Sequence, residues 1–357
     1  MPSFPSWSAF GRTFAITALA LGLLCAALIL LADPYGRRVA PGRPRPPIMD
    51  LNQRYMYPQI VRSGAYDSAA FGTSTIRLLD PEQLNRLFGG RFANLGLNAG
   101  TPYEQLQLID LFLRRVPRPR TLILGLDLPW CEAEADKPEK RFTSRSFPPW
   151  LYDEKPWNDL PELFNLRGLE IAARVVLNRV GRLPERIRAD GFEVFTPPEA
   201  SYDLERARAH IWFNRPERRI VPASPAVTMS PAEAERLAMP ALAWLDGALA
   251  KVPAGSEVIL AFLPIHVAAQ MQPGSAAEAL DQACKERVAA LAAKRGATLV
   301  DFRRASPVTT DDRNYWDPLH MRLPVAARVA DALKAARVTG ADAPDGFYRV
   351  TVRGRPD

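Results

Sequence analysis

Residues 13–32, TFAITALALGLLCAALILLA, carry no charged side chain. They extend for about the 20 residues that a helix needs to cross a ~30 Å hydrocarbon core. It is the only such run in the sequence, so we expect a short tail (1–12), one transmembrane anchor (13–32), and a separate body. A cleaved signal peptide has a shorter apolar region ending at a small-x-small site, whereas here the run continues through Leu28, Ile29, Leu30 and Leu31 to Asp33. The anchor is therefore expected to stay on the chain. Cys25 follows Leu23 and Leu24 in mid-run, without the small residues of a lipoprotein site, and reads as apolar packing.

Two arguments about orientation oppose each other. Only Arg12 precedes the run, while Arg37, Arg38, Arg43 and Arg45 follow it, so charge counting alone would keep the body in the cytoplasm. Against that, a short tail before a single anchor normally stays inside while a large domain is exported. The Pro-rich stretch APGRPRPP (40–47), within a Pro/Arg-rich linker at 33–50, reads as a stand-off spacer. We expect a single-pass inner-membrane protein with an extracytoplasmic, periplasmic body. The basic collar is also suited to anionic lipid headgroups.

Apolar residues make up 47% of the chain and charged ones 24%, a balance that excludes wholesale disorder, a collagen repeat or a coiled coil. The net charge of +7 is too diffuse to name nucleic acid as a partner. Within 51–357, short apolar runs bounded by turn signals read as buried parallel strands: SAAFGT (68–73), FANLGLN (92–98), TLILGLD (121–127), EVILAFLP (257–264) and TLVDFR (298–303). Helical periodicity falls between or after them at 81–89, 101–116, 276–296 and 324–338. This alternation predicts a three-layer α/β domain, a doubly wound parallel five-stranded sheet covered on both faces. Residues 130–240, with one helix at 166–180, read as an insertion after the third strand that forms a lid or substrate wall. The tail GFYRVTVRG (346–354) alternates and can add an edge strand.

Sites in such sheets form at the carboxyl ends of the strands. FGTSTIR (71–77) puts Ser74 in a sharp turn there, where an exposed nucleophile belongs. NYWDPLHMR (314–322) puts Asp317 three residues before His320. Across a turn, that carboxylate can fix the imidazole tautomer and leave the other ring nitrogen to take a serine proton. NLGLNAGTPYEQ (94–105) supplies a Gly-containing turn whose backbone N–H groups can serve an oxyanion.

Ser74 after the first strand, a Gly turn after the second and Asp-x-x-His before the last helix together resemble the SGNH, or GDSL-like, hydrolases of flavodoxin-like fold. The resemblance runs over roughly residues 65–340. It implies Ser74 as nucleophile on an ester, His320 as base and Asp317 as its orienter. The implied oxyanion donors are the amide of Ser74 and the turn at Gly96, Ala99 or Gly100. With the anchor, the chain is similar to membrane-tethered members that act in cell-envelope acylation. The expected substrate is then an acylated glycan or lipid of the envelope, and the partner that the resemblance implies is a membrane acyltransferase.

The first block reads Gly72-Thr73-Ser74-Thr75 where the family has Gly-Asp-Ser-Leu, and the serine is kept. The third reads Gly125-Leu126-Asp127-Leu128 where the family has Gly-x-Asn-Asp, its asparagine donating to the oxyanion. An ionised Asp127 would repel that charge. Either another group replaces the donor, Asp127 is protonated, or hydrolysis is weak. The alternative is a non-catalytic partner or binding protein that keeps the fold, and Asp127 is the residue that separates the two. His266, at the end of the fourth strand, points toward the site edge, as a substrate contact or a buried structural histidine; His210 reads as structural. Three scattered histidines and three cysteines lack metal-ligand spacing, and no Gly-rich phosphate loop is present. No cofactor is called for. Cys131 and Cys284 can pair in an oxidising compartment, though remote free thiols are the plainer reading.

Overall fold

Alternate residues of each central run belong to two separate apolar cores, so the sheet is buried from both sides. Leu122 and Leu124 pack into one core and Ile123 into the other; Leu260 and Phe262 divide in the same way from Ile259 and Ala261. The computed structural model describes residues 6–38, 45–155, 157 and 159–354. Over these the chain runs α1 (Trp7–Ala32), α2 (Gln53–Arg62), β1 (Ser68–Gly72), α3 (Pro81–Phe88), β2 (Phe92–Gly96), α4 (Pro102–Arg115) and β3 (Thr121–Gly125). The insertion carries α5 (Pro138–Arg141), α6 (Asp159–Leu163), α7 (Leu166–Arg179), α8 (Leu204–Ile211) and α9 (Pro231–Arg236). The fold resumes with α10 (Pro240–Leu249), β4 (Glu257–Phe262), α11 (Ala276–Arg295), β5 (Thr298–Asp301), α12 (Leu323–Thr339) and β6 (Arg349–Val352).

The strand order is β2-β1-β3-β4-β5-β6, parallel throughout except for β6, which runs antiparallel on β5. The expected five-stranded sheet is thus corrected to six. The tail does add the edge strand that its alternation suggested, and its residues are exposed or half-buried, the pattern of an edge. Helix ends follow local chemistry. Asp80 caps α3 ahead of Pro81, Thr101 and Glu104 form a capping box on α4, and Gly296 stops α11 in the left-handed region at φ 69°.

One expectation outside the sheet is overturned. Cys131, just after β3, and Cys284, on α11, form a disulfide rather than remote thiols, with Cα atoms 5.7 Å apart. Their elements meet because α11 packs against the short helical turn Leu128–Cys131 that follows β3, a proximity across 153 residues that spacing could not reveal. The described ends of the linker, 33–38 and 45–50, pack on the body. Asp33 and Tyr35 are buried, as are Ile48, Met49 and Asp50. Arg45 donates to Gly36 O at 3.0 Å and Arg62 O at 2.7 Å. Apolar Tyr35, Ile48 and Met49 draw both ends of this segment onto the body. Residues 39–44, with Arg43 and much of the Pro-rich stretch, and 1–5 of the tail lie outside the described residues. Helix α1, 26 residues long, is long and apolar enough to cross a membrane.

Candidate active site

The turn that carries Ser74 is held from three directions. Gly72 is required beneath it, because a Cβ there would meet Gly125 O at 3.0 Å and Ile76 Cγ2 at 3.1 Å. Asn94, buried in β2, donates from Nδ2 to the carbonyls of Ile76 (3.0 Å), Arg77 (3.2 Å) and Leu79 (2.9 Å). Arg77 ion-pairs with Glu193 of the insertion and lies 4.4 Å over the Phe195 ring. The turn thus sits between a sheet strand and the insertion, leaving Ser74 half-buried at the strand end.

The second loop closes on itself. Tyr315 bridges Met321, and Trp316 N donates to His320 O at 2.9 Å. Asp317 Oδ1 accepts from the amides of Leu319 (2.8 Å) and His320 (2.9 Å), leaving Oδ2 for His320 Nδ1 at 2.7 Å. His320 Nε2 lies 2.9 Å from Ser74 Oγ. A carboxylate only accepts, so the proton of the ring sits on Nδ1 and Nε2 is the acceptor for the serine hydroxyl. Burial pushes the Asp317 carboxyl up. The hydrogen bond and charge of His320, with the two amides, outweigh it, and the group rests below the usual carboxylate range. Phe195 meets the imidazole edge-on, ring centres 5.2 Å apart, so the insertion walls the histidine as well as the serine turn. The structure brings Ser74, His320 and Asp317 together as one hydrogen-bonded chain.

Asp127 is placed differently from an open site group. Its Oδ2 accepts from Thr73 Oγ1 and, at 3.1 Å, from Thr75 Oγ1, the hydroxyls on either side of Ser74. Its Oδ1 accepts from Nη2 of buried Arg303 at 2.9 Å, and the same nitrogen donates to Leu126 O at 3.0 Å. The expectation that Asp127 faces the oxyanion or substrate is corrected: its carboxylate is spent in the floor of the nucleophile turn.

The turn after β2 is fixed from below by a buried ion pair. Arg54 binds Glu104 through Nε at 2.9 Å and Nη2 at 2.5 Å, and both terminal nitrogens reach Asn98 O at 3.2 Å. Two of the three candidate donors are already committed. Gly96 N donates to Asn94 Oδ1 at 3.1 Å and Gly100 N to Leu97 O at 3.0 Å. Neither can serve an oxyanion. Among the described residues, the amides of Ser74 and Ala99, the latter exposed at φ 50°, and the side-chain amide of half-buried Asn98 have no partner.

His266 is also corrected as a site-edge contact. Its ring is fully buried between Trp212 and Tyr315, with Nδ1 accepting from Ala268 N at 3.1 Å and Nε2 3.2 Å from Asp312 Oδ1. Burial pushes its pKa below the ordinary histidine value, against the pull of Asp312. Its backbone is what touches the site region: His266 N donates to Pro318 O at 2.9 Å, holding the loop that carries Asp317 and His320. His210 is exposed near the end of α8. Sequence reasoning missed Arg54, Asn94, Arg77 and Arg303. The Thr101-x-x-Glu104 capping box and an asparagine inside an apolar strand were the signals available for two of these contacts. No family model matches the chain, and no curated protein is significantly similar to it.

Proposed function

We propose that this chain is a membrane-anchored, SGNH-like serine esterase or O-acyltransferase whose body lies outside the cytoplasm and acts on an acylated glycan or lipid of the cell envelope. The observation that carries the reading is the relay from Ser74 Oγ to His320 Nε2 and from Nδ1 to Asp317, at 2.9 and 2.7 Å. As Ser74 Oγ attacks the acyl carbonyl, His320 takes the hydroxyl proton and then gives it to the leaving alkoxide. The oxyanion is met by the free amides of Ser74 and Ala99. The unpartnered side chain of Asn98, on the turn after β2, is the donor this reading assigns in place of the asparagine that the resemblance expects at Asp127. His320 then takes a proton from water or a sugar hydroxyl as that oxygen attacks the acyl carbon, and returns it to Ser74 Oγ as the acyl–serine bond breaks. The disulfide supports an oxidising compartment.

The second reading, a non-catalytic partner of a membrane acyltransferase, is favoured by Asp127 itself, which is tied to Arg303 where the family places a donor. Turnover decides between them. The full chain in detergent micelles should hydrolyse 4-nitrophenyl acetate, and Ser74→Ala should reduce the rate to background. Equal rates for the two proteins would move the assignment to the partner reading.

A further inference from the structure

Resting on the anchor reading, we propose that the face of the body around the end of α1 is a lipid-docking surface. The outer edge of α7 lies at the membrane–water boundary, and Arg38 and Arg179 hold the phosphate of an anionic phospholipid in the leaflet that α1 leaves.

The depth argument comes first. α7 is the helix packed along α1, where Leu28 is half-buried and Ile29 and Ala32 are buried. Arg179 Nη2 donates to Ala32 O at 3.3 Å. If residues 13–32 fill the hydrocarbon core, Ile29 sits about 4.5 Å inside its boundary at ~1.5 Å per residue. A helix that covers Ile29 cannot stand clear of the headgroups.

The composition of that helix agrees with such a depth. Leu166 is 86% exposed, Leu177 43% and Val180 62%, with Trp157 and Phe164 exposed on the segment just before α7. Single exposed apolar residues are ordinary, but these fall in one stretch of the chain, 157–180, that includes the helix packed on α1. Of the arginines there, Arg167 is held by Asp50 and Arg174 by Glu170, which leaves Arg179 and Arg182 at the end of α7, whose long side chains can reach headgroups while their stems cover apolar surface.

A cavity of about 420 Å³ opens at the same level, lined by Leu31, Ala32, Asp33, Arg38, Arg45, Pro46 and Arg179. Asp33 spends its carboxylate on the amides of Arg37 and Arg38, at 3.0 Å each, and Arg45 is committed to two carbonyls. Arg38 and Arg179 have no carboxylate in ion-pair contact among the described residues. Guanidinium groups beside a helix that exits a membrane suit a lipid phosphate. Leu31, 79% exposed on the last turn of α1, gives the acyl tails of that lipid an apolar wall. The insertion that docks here also supplies Phe195 to His320, so docking would hold the site wall at a set height above the bilayer and select substrates presented at its surface.

The test uses the full chain carrying Cys25→Ala and one new cysteine at a time, Leu177→Cys, Val338→Cys or Leu19→Cys. Each is labelled with a fluorophore and reconstituted in phosphatidylcholine vesicles with or without phosphatidylglycerol. A quencher on the upper acyl chain should quench position 177 several-fold more than position 338, which is exposed on α12. A deep quencher should reach position 19. Spin-labelled phosphatidylglycerol should be immobilised by the wild type in preference to phosphatidylcholine, and Arg38→Gln with Arg179→Gln should remove that preference while position 177 stays quenched. Equal quenching at 177 and 338 overturns the docking surface, as does shielding of 177 that appears only when a second protein crosslinks to it. A double variant that keeps the lipid preference overturns the phosphate pocket. An unquenched position 19 overturns the anchor and the proposal with it. None of these readouts involves ester cleavage, so they fail independently of the catalytic reading.

Discussion

Asp127 occupies the position at which the resemblance expects an asparagine, and its surroundings reverse the simplest remedy. Restoring asparagine there would supply the family's donor, but it would also strip a buried guanidinium, Arg303, of its carboxylate and loosen the hydroxyls of Thr73 and Thr75 on both sides of Ser74. Breaking one partner of a buried pair costs about 3 to 5 kcal/mol. Asp127→Asn should therefore lower stability by roughly that amount in a denaturant titration and reduce esterase activity. A variant of wild-type stability and higher rate would show that the carboxylate was an obstacle rather than a support. Asn98 makes the complementary case: its side chain has no partner to lose, so Asn98→Ala should leave the melting temperature unchanged while lowering kcat by about 10² to 10³. An unchanged kcat would remove Asn98 from the oxyanion site. Ser74, Asp317 and His320 were legible in the sequence because each sits in a loop beside a recognisable strand or helix. Arg54 with Glu104, 50 residues apart, and Arg303 with Asp127, 176 apart, were not, because nothing local marks a long-range buried pair.

The strands and helices were legible for a reason that the two cores make plain. A strand buried on both faces is a continuous apolar run, and the helices between carry their own stops, as at Gly89 and Gly296. What escaped the pattern was contact between elements. The Cys131–Cys284 bond ties the end of β3 to α11 across 153 residues. Replacing both cysteines by serine should cost about 2 to 4 kcal/mol, read as a lower denaturation midpoint. Alkylation of the unfolded, unreduced wild type should mark Cys25 alone, and three alkylated thiols would contradict the bond. His266 gives the β4 end a pH dependence. Its imidazole, held below the ordinary value by burial, resists protonation in the folded state, whereas the unfolded chain takes up that proton near pH 6.5. Its contribution to stability is complete above pH 6.5 and is lost as the pH falls below it, by at most about 1.4 kcal/mol per pH unit. Melting temperatures taken between about pH 5 and 8 should fall on the acid side for the wild type and flatten there for His266→Gln; parallel curves would assign the acid loss to other groups.

At the scale of the whole molecule, α1, the described ends of the linker and the insertion are joined by direct contacts. α1 packs on α7, Arg45 is pinned to α2, and the insertion reaches back to the triad through Glu193 and Phe195. Alkaline phosphatase fused to the C-terminus should be active in cells, as an exported body requires, and a fluorescent fusion that matures only in the cytoplasm would place the body on the other side. The central claim is that Ser74 is a nucleophile activated by His320, and the most direct measurement is covalent. A serine hydroxyl is inert to a fluorophosphonate unless a base takes its proton and donors hold the phosphonyl oxygen. The full chain should gain the mass of one probe on the peptide that contains Ser74, His320→Ala should suppress the adduct, and Ser74→Ala should abolish it. No adduct on the folded wild type, or an adduct that His320→Ala leaves unchanged, would contradict the account.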